Sequence, residues 1–98
     1  MAFEVELGPD AWEHLQAFPA HAQSLLLDTI EQQLRYQPDN ETRNRKPLRS
    51  NTLASWELRV GDFRIFYDII SDEATVSVVA IGLKKHNRLT IGGKEFKL

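Results

Sequence analysis

The residues of this chain best suited to chemistry are two arginines set among acids in an alternating stretch, Trp56-Glu57-Leu58-Arg59-Val60-Gly61-Asp62-Phe63-Arg64-Ile65-Phe66-Tyr67-Asp68. Alternation on both sides of Gly61-Asp62 predicts two strands joined by a two-residue turn. With that turn, Val60 faces Phe63, Leu58 faces Ile65 and Trp56 faces Tyr67, making one apolar face. On the other face Arg59 lies opposite Arg64. Like charges so placed cost a few tenths to about 1 kcal/mol unless something negative lies over them, and a polyanion would do so. Glu57, diagonal to Arg64, and Asp68 further along supply the competing account, an ordinary solvated ion-pair network.

Two further segments share this charge. Arg43-Asn44-Arg45-Lys46-Pro47-Leu48-Arg49 carries four cations with no acid among them, and Lys84-Lys85-His86-Asn87-Arg88 follows an apolar stretch. Basic runs of this kind contact phosphates or form solvated loops. Arg43, Arg45, Lys46, Arg49, Arg59, Lys85 and Arg88 are therefore the candidates for phosphate binding. The whole chain is not basic: its 12 Lys and Arg stand against 14 Asp and Glu, a net charge of −2. That excludes a general nucleic-acid coating protein. Glu4, Glu6, Asp10, Glu13, Asp28 and Glu31 lie near the amino end, where Arg35 is the only cation, so a domain with one positive face is expected.

Were that polyanion an RNA, cutting it without a metal would need a base for the ribose 2′-hydroxyl, an acid for the leaving 5′-oxygen, and cations for charge building on the phosphate. Arg64, Arg59 and Lys84 suit the last role. His86 is the first candidate for proton transfer, since imidazole exchanges protons near neutral pH; its competing reading is a solvated loop histidine. Glu57, on the polar hairpin face with Arg64, is the alternative base, or else a structural partner of the arginines. His14 and His21 have no companion at ligand spacing, and the chain has no cysteine, so neither a metal site nor a disulfide is expected. No Gly-rich phosphate loop precedes a helix, and no cofactor is expected.

These groups need a scaffold, and 98 residues make one domain, 1–98. Phe3 to Leu7 alternates as a strand. Pro9 opens a helix carrying Ala11, Leu15 and Phe18, with Trp12 and Phe18 assigned to the core, and Pro19 ends it. Ala22, Leu26, Ile30 and Leu34 predict a second helix from about Ala20 to Tyr36. Residues 39–55 show neither period and read as a loop. After the hairpin, Ser71-Asp72-Glu73 turns into a β-branched strand from Thr75 to Ile81, ended by Gly82. Leu89-Thr90-Ile91 reads as an edge strand or a loose tail. The expected fold is α+β: a helical hairpin on one face of a largely antiparallel four-stranded sheet, in the order β-α-α-β-β-β. The other sheet face is expected to be solvated and cationic. No leader or membrane span is indicated, and a cytoplasmic location is expected.

The hairpin from Leu58 to Tyr67, followed one strand later by Val79-Ala80-Ile81-Gly82, resembles the RelE/ParE superfamily of toxins from bacterial type II toxin-antitoxin systems. The resemblance covers nearly the whole chain, including its size, the element order and the basic segment ending in Lys46-Pro47-Leu48-Arg49. It implies one of two targets: the RelE branch enters the ribosomal A site and cleaves messenger RNA, whereas the ParE branch poisons DNA gyrase. Arg64 falls on a RelE arginine that contacts the scissile phosphate, and Lys84 falls near a second RelE cation. Ser55 and Glu57 stand where some RelE members carry lysines, and Thr90 or Ile91 lies where RelE has its late catalytic tyrosine. The resemblance thus implies a ribosome-dependent mRNA endonuclease, with a cognate antitoxin, the ribosome and mRNA as partners. The alternatives are a gyrase inhibitor without nuclease activity, or a weakened member that only binds antitoxin or RNA.

Overall fold

The structure, a computed structural model, describes residues 2–98. Strand β1 (Glu4–Leu7) leads through extended Gly8 into helix α1 (Pro9–Gln16). Pro9 sits in the first turn, where its missing N–H would have had no partner. Helix α1 buries Ala11 and Leu15, and α2 (Ala20–Leu34) buries Ala22, Leu26, Ile30 and Leu34, the stripe the spacing predicts. Helix α2 stops two residues short of Tyr36, because the chain from Arg35 turns to meet β1. Phe3 N donates to Arg35 O at 2.8 Å, and Ala2 bridges Tyr36. Phe18 packs edge-on against Phe63, whereas Trp12 is 45% exposed and not in the core. Its position on α1 turns away from the Ala11 and Leu15 stripe.

The sheet has seven strands rather than four. Strands β2 (Arg45–Pro47), β3 (Trp56–Val60), β4 (Phe63–Ile70), β5 (Thr75–Lys85), β6 (Arg88–Ile91) and β7 (Lys94–Phe96) follow one another in order, and β1 pairs with β5. The β3–β4 hairpin has the expected register, with Trp56 opposite Tyr67, Leu58 opposite Ile65 and Val60 opposite Phe63. Gly61, with φ +58°, supplies the left-handed turn residue.

Strand β5 does not end at Gly82. It continues to Lys85, and the glycine is there for proximity: a Cβ on Gly82 would lie 2.6 Å from the Thr90 carbonyl oxygen. The first half of β5 pairs in parallel with β1, from Glu4 opposite Thr75 to Leu7 opposite Val78. The second half pairs along the same edge with β6, from Gly82 opposite Ile91 to Lys85 opposite Arg88. In the gap between them, Ile81 N donates to His14 Nδ1 at 3.1 Å, so a helix side chain replaces a strand acceptor.

Helices cover the face bearing Leu58, Ile65, Tyr67, Val76, Val78 and Ile81. Burial of such side chains stabilises by about 1.5–3 kcal/mol each. Tyr67 stacks on Trp56 and donates its hydroxyl to Pro38 O at 2.8 Å. The other face is not simply solvated. Phe66 is fully buried there with Ala80, Leu89 and Ala54, and Leu48, Leu53, Ile91 and Phe96 pack around them. Residues 39–55 are accordingly less of a loop than expected. Arg45–Pro47 pairs with β3 as β2, and the chain after it folds over Phe66, because an apolar ring at that position has to be covered.

Candidate functional site

Arg59 and Arg64 are opposed on the face away from the helices, as the register demands. Their guanidinium groups part in different directions. Arg59 Nε donates to Glu57 Oε2 at 2.8 Å, an ion pair with its carboxylate buried and its cation half-exposed. Arg64 Nη1 turns back to the hairpin and donates to Gly61 O at 2.8 Å and Phe63 O at 2.9 Å. Its Nε is buried without a hydrogen-bond partner. Asp68 stays out of this network and accepts from Ser55 N at 2.8 Å. The expected ion-pair account therefore holds for Arg59, not for Arg64.

Alternation along β5 carries Lys84 to this same face. Glu57 and Lys84, which lie 27 positions apart in sequence, line one cavity of about 370 Å³ together with Asn87, Leu89, Phe96 and Lys97. Lys84 N also donates to Asp62 O at 2.8 Å, which ties the tip of the β3–β4 hairpin to β5. His86 occupies the two-residue turn between β5 and β6 with Asn87, both in the left-handed region at φ +53° and +63°. It is exposed, and Asn87 rather than His86 lines the cavity. Lys85 and Arg88 pair across that turn, one residue out of phase with Lys84, so the third basic group is divided between the two faces.

The basic segment before β3 is divided as well. Arg45 is a structural pin: Nε donates to Asn40 O at 3.0 Å and Nη1 to Gln33 O at 2.8 Å, holding β2 against the end of α2. Lys46 stands 3.6 Å from Glu41, an exposed pair of small energetic weight. Arg43 and Arg49 are exposed and, among the described residues, form no ion pair. No group of three His, Cys, Asp or Glu able to hold a metal occurs among the described residues.

Sequence reasoning missed two features. His14 caps the ladder gap and borders a cavity of about 590 Å³ with Phe18, Leu83, Thr90 and Lys94. Asn51 organises the segment after β2, its amide donating to Arg49 O and Ala54 O while its carbonyl accepts from Leu53 N and Ala54 N. A polar cavity of about 330 Å³, lined by Arg49, Ser50, Thr52 and Asp68, lies beside it. Asn51 follows a serine in a stretch without periodicity, which is the one signal that a side-chain-built turn was coming. For His14 the sequence carried none.

A helical hairpin packed on one face of an antiparallel sheet is the fold this chain shares with solved RelE toxins. The chain resembles the RelE–RelB toxin-antitoxin complexes solved from three organisms. With the RelBE2 complex of Mycobacterium tuberculosis the TM-score is 0.74 at 21% identity, over 86% of this chain and 100% of that one. With the Pyrococcus horikoshii OT3 complex it is 0.66 at 18% identity, over 83% and 93%. With the intact Escherichia coli RelBE complex it is 0.53 at 16% identity, over 87% and 100%. No individually curated protein matches in sequence. The family described as the ParE toxin of the type II toxin-antitoxin system parDE matches residues 5–88, and the chain belongs to that family. It is a type II toxin by sequence family and a RelE-like one by fold. No helix among the described residues is long and apolar enough to cross a membrane.

Proposed function

We propose that this toxin cleaves messenger RNA on the ribosome without a metal ion, and that a cognate antitoxin restrains it. The observation that carries the reading is the single cavity holding buried Glu57 beside Lys84, with the unpartnered Arg64 Nε on the same sheet face. A carboxylate in that place can take the proton of the ribose 2′-hydroxyl as the 2′-oxygen bonds to phosphorus and the bond to the 5′-oxygen breaks. Lys84, and Arg64 once its side chain swings out from the turn carbonyls, offset the charge gathering on the phosphate. His86, on the turn above, is the other candidate for proton transfer and suits the leaving 5′-oxygen. Arg43 and Arg49 extend the phosphate-binding surface. The antitoxin follows from the family and from the solved relatives, each of which is a toxin-antitoxin complex.

The ParE family match favours a second reading, inhibition of DNA gyrase through protein contacts. Inducing the chain in cells while following protein synthesis and plasmid supercoiling separates the two. Cleavage predicts a halt in translation and transcripts cut within coding regions. Continued translation with accumulating DNA breaks would establish the gyrase reading instead.

A further inference from the structure

The hydrogen bond that fills the ladder gap also fixes the proton of His14. Nδ1 accepts from Ile81 N at 3.1 Å, and an imidazole that accepts at Nδ1 carries its proton on Nε2. That second nitrogen lies toward the β6–β7 turn, 3.4 Å from where a Cβ on Gly92 would stand, and among the described residues nothing accepts its N–H. A donor is thereby delivered to the cavity of about 590 Å³ between α1 and the turn. The cavity is apolar where Phe18 and Leu83 line it, with Phe18 held edge-on by Phe63. At its rim, Glu13 comes from α1 and Lys94 from β7. Both rim charges are exposed, and among the described residues neither forms an ion pair, with the other or with anything else. An apolar bed with a few converging polar groups is the make-up of a small-molecule site, and the volume is of that order. The cavity of Glu57 and Lys84 shares no lining residue with it.

We propose that this second cavity binds a free aromatic α-amino acid. The ligand carboxylate accepts from His14 Nε2 and pairs with Lys94, the α-ammonium pairs with Glu13, and the ring lies against Phe18 and Leu83. Two opposite charges at one rim select a zwitterion. A nucleic acid brings no cation for Glu13, the interior of a polypeptide brings neither charge, and a chain terminus brings only one. The ring follows from the volume, which a short aliphatic side chain would leave largely unfilled, and from Phe18, against which a second ring packs offset or edge-on.

The probe is L-tryptophan, titrated into the full chain while amide shifts are followed by NMR. Ile81, Gly92 and Gly93 should shift saturably, with a Kd of about 1 mM or tighter. Tryptamine, which lacks the carboxylate, should bind about tenfold more weakly, having lost a charge-assisted hydrogen bond and an ion pair. Indole-3-propionate, which lacks the ammonium, should lose about threefold to fivefold, the effect of one exposed ion pair. Glycine, which lacks the ring, should not saturate. Glu13→Gln and Lys94→Gln alter exposed side chains and leave the core untouched. Glu13→Gln should erase the preference for tryptophan over indole-3-propionate, and Lys94→Gln should narrow its preference over tryptamine, whereas mere loosening of the fold would weaken all three alike. No saturable shift at those amides overturns the proposal. Equal affinity for the three indole compounds also overturns it, making the cavity an apolar slot only, and so do saturable shifts centred on Glu57 and Lys84 instead.

Discussion

Replacing Gly82 with alanine puts a methyl group where the structure has no room for one. The new Cβ would stand 2.6 Å from Thr90 O, 2.9 Å from Ile91 Cγ1 and 3.2 Å from Leu89 Cδ1. The two side chains can turn aside. The carbonyl oxygen moves only if β6 moves, and β6 is held to β5 from Gly82 opposite Ile91 to Lys85 opposite Arg88. Overpacking costs about 1–3 kcal/mol, and each ladder bond lost as β6 lifts adds about 1 kcal/mol. Gly82→Ala should therefore destabilise by about 2–4 kcal/mol, a fall in melting temperature on the order of 10–20 °C for a domain of this size. The damage should begin locally, with faster amide exchange at Leu83 and Thr90, which face each other, than in the β3–β4 hairpin. Growth inhibition should fall with it, since Leu89 and Phe96 wall the cavity of Glu57 and Lys84. Gly61→Ala is the contrast, with nothing within 4 Å but φ at +58°, and should cost only about 1 kcal/mol of backbone strain. Thermal unfolding followed by circular dichroism, with exchange measured by NMR, checks both. A Gly82→Ala protein that melts within a degree or two of the original chain, with unchanged exchange at Thr90, refutes the steric argument.

Arg64→Ala should abolish growth inhibition while changing stability by less than about 1 kcal/mol, because relief of the opposed arginines offsets two lost bonds to turn carbonyls. An inactive variant that also melts many degrees lower would make Arg64 structural. Glu57→Gln should slow RNA cleavage about a hundredfold or more at nearly unchanged ribosome binding; if His86→Gln does so and Glu57→Gln does not, the base is His86. Burial pushes the Tyr67 phenol well above its ordinary value of 10.0, with Asp39 adding to the rise and Arg45 opposing it. The folded chain then holds that proton after the unfolded chain has released it, so stability is complete below about pH 10 and declines above it. Tyr67→Phe should remove this alkaline sensitivity in denaturant titrations from pH 8 to 11, at the cost of the hydrogen bond to Pro38.

The helical and hairpin parts of the fold were legible because each is specified by neighbours in the chain. The stripe of Ala22, Leu26, Ile30 and Leu34 and the alternation about Gly61-Asp62 need only local geometry, and the register that follows places Arg59 against Arg64 without further information. For the candidate site, the sequence offered residues to consider and no way to group them. Glu57, Lys84 and the arginines were all candidates, but the structure turns Arg59 to Glu57, spends Arg45 on the end of α2 and leaves Arg64 Nε without a partner. Composition identifies a cation and is silent on which acceptor lies within reach.

By itself, then, the sequence determined the two helices, the strands β1, β3 and β4 with the pairing of the central hairpin, and the start of β5. These depend on period and turn chemistry, which act over a few residues. The tertiary structure decided that β5 runs on past Gly82, that β1 and β6 share one edge of it with His14 between them, that Phe66 has a second small core above it, and that Glu57 meets Lys84. Each of those depends on which distant segment comes to lie alongside. A glycine that ends a strand and one that admits a neighbouring backbone look alike until the neighbour is in place.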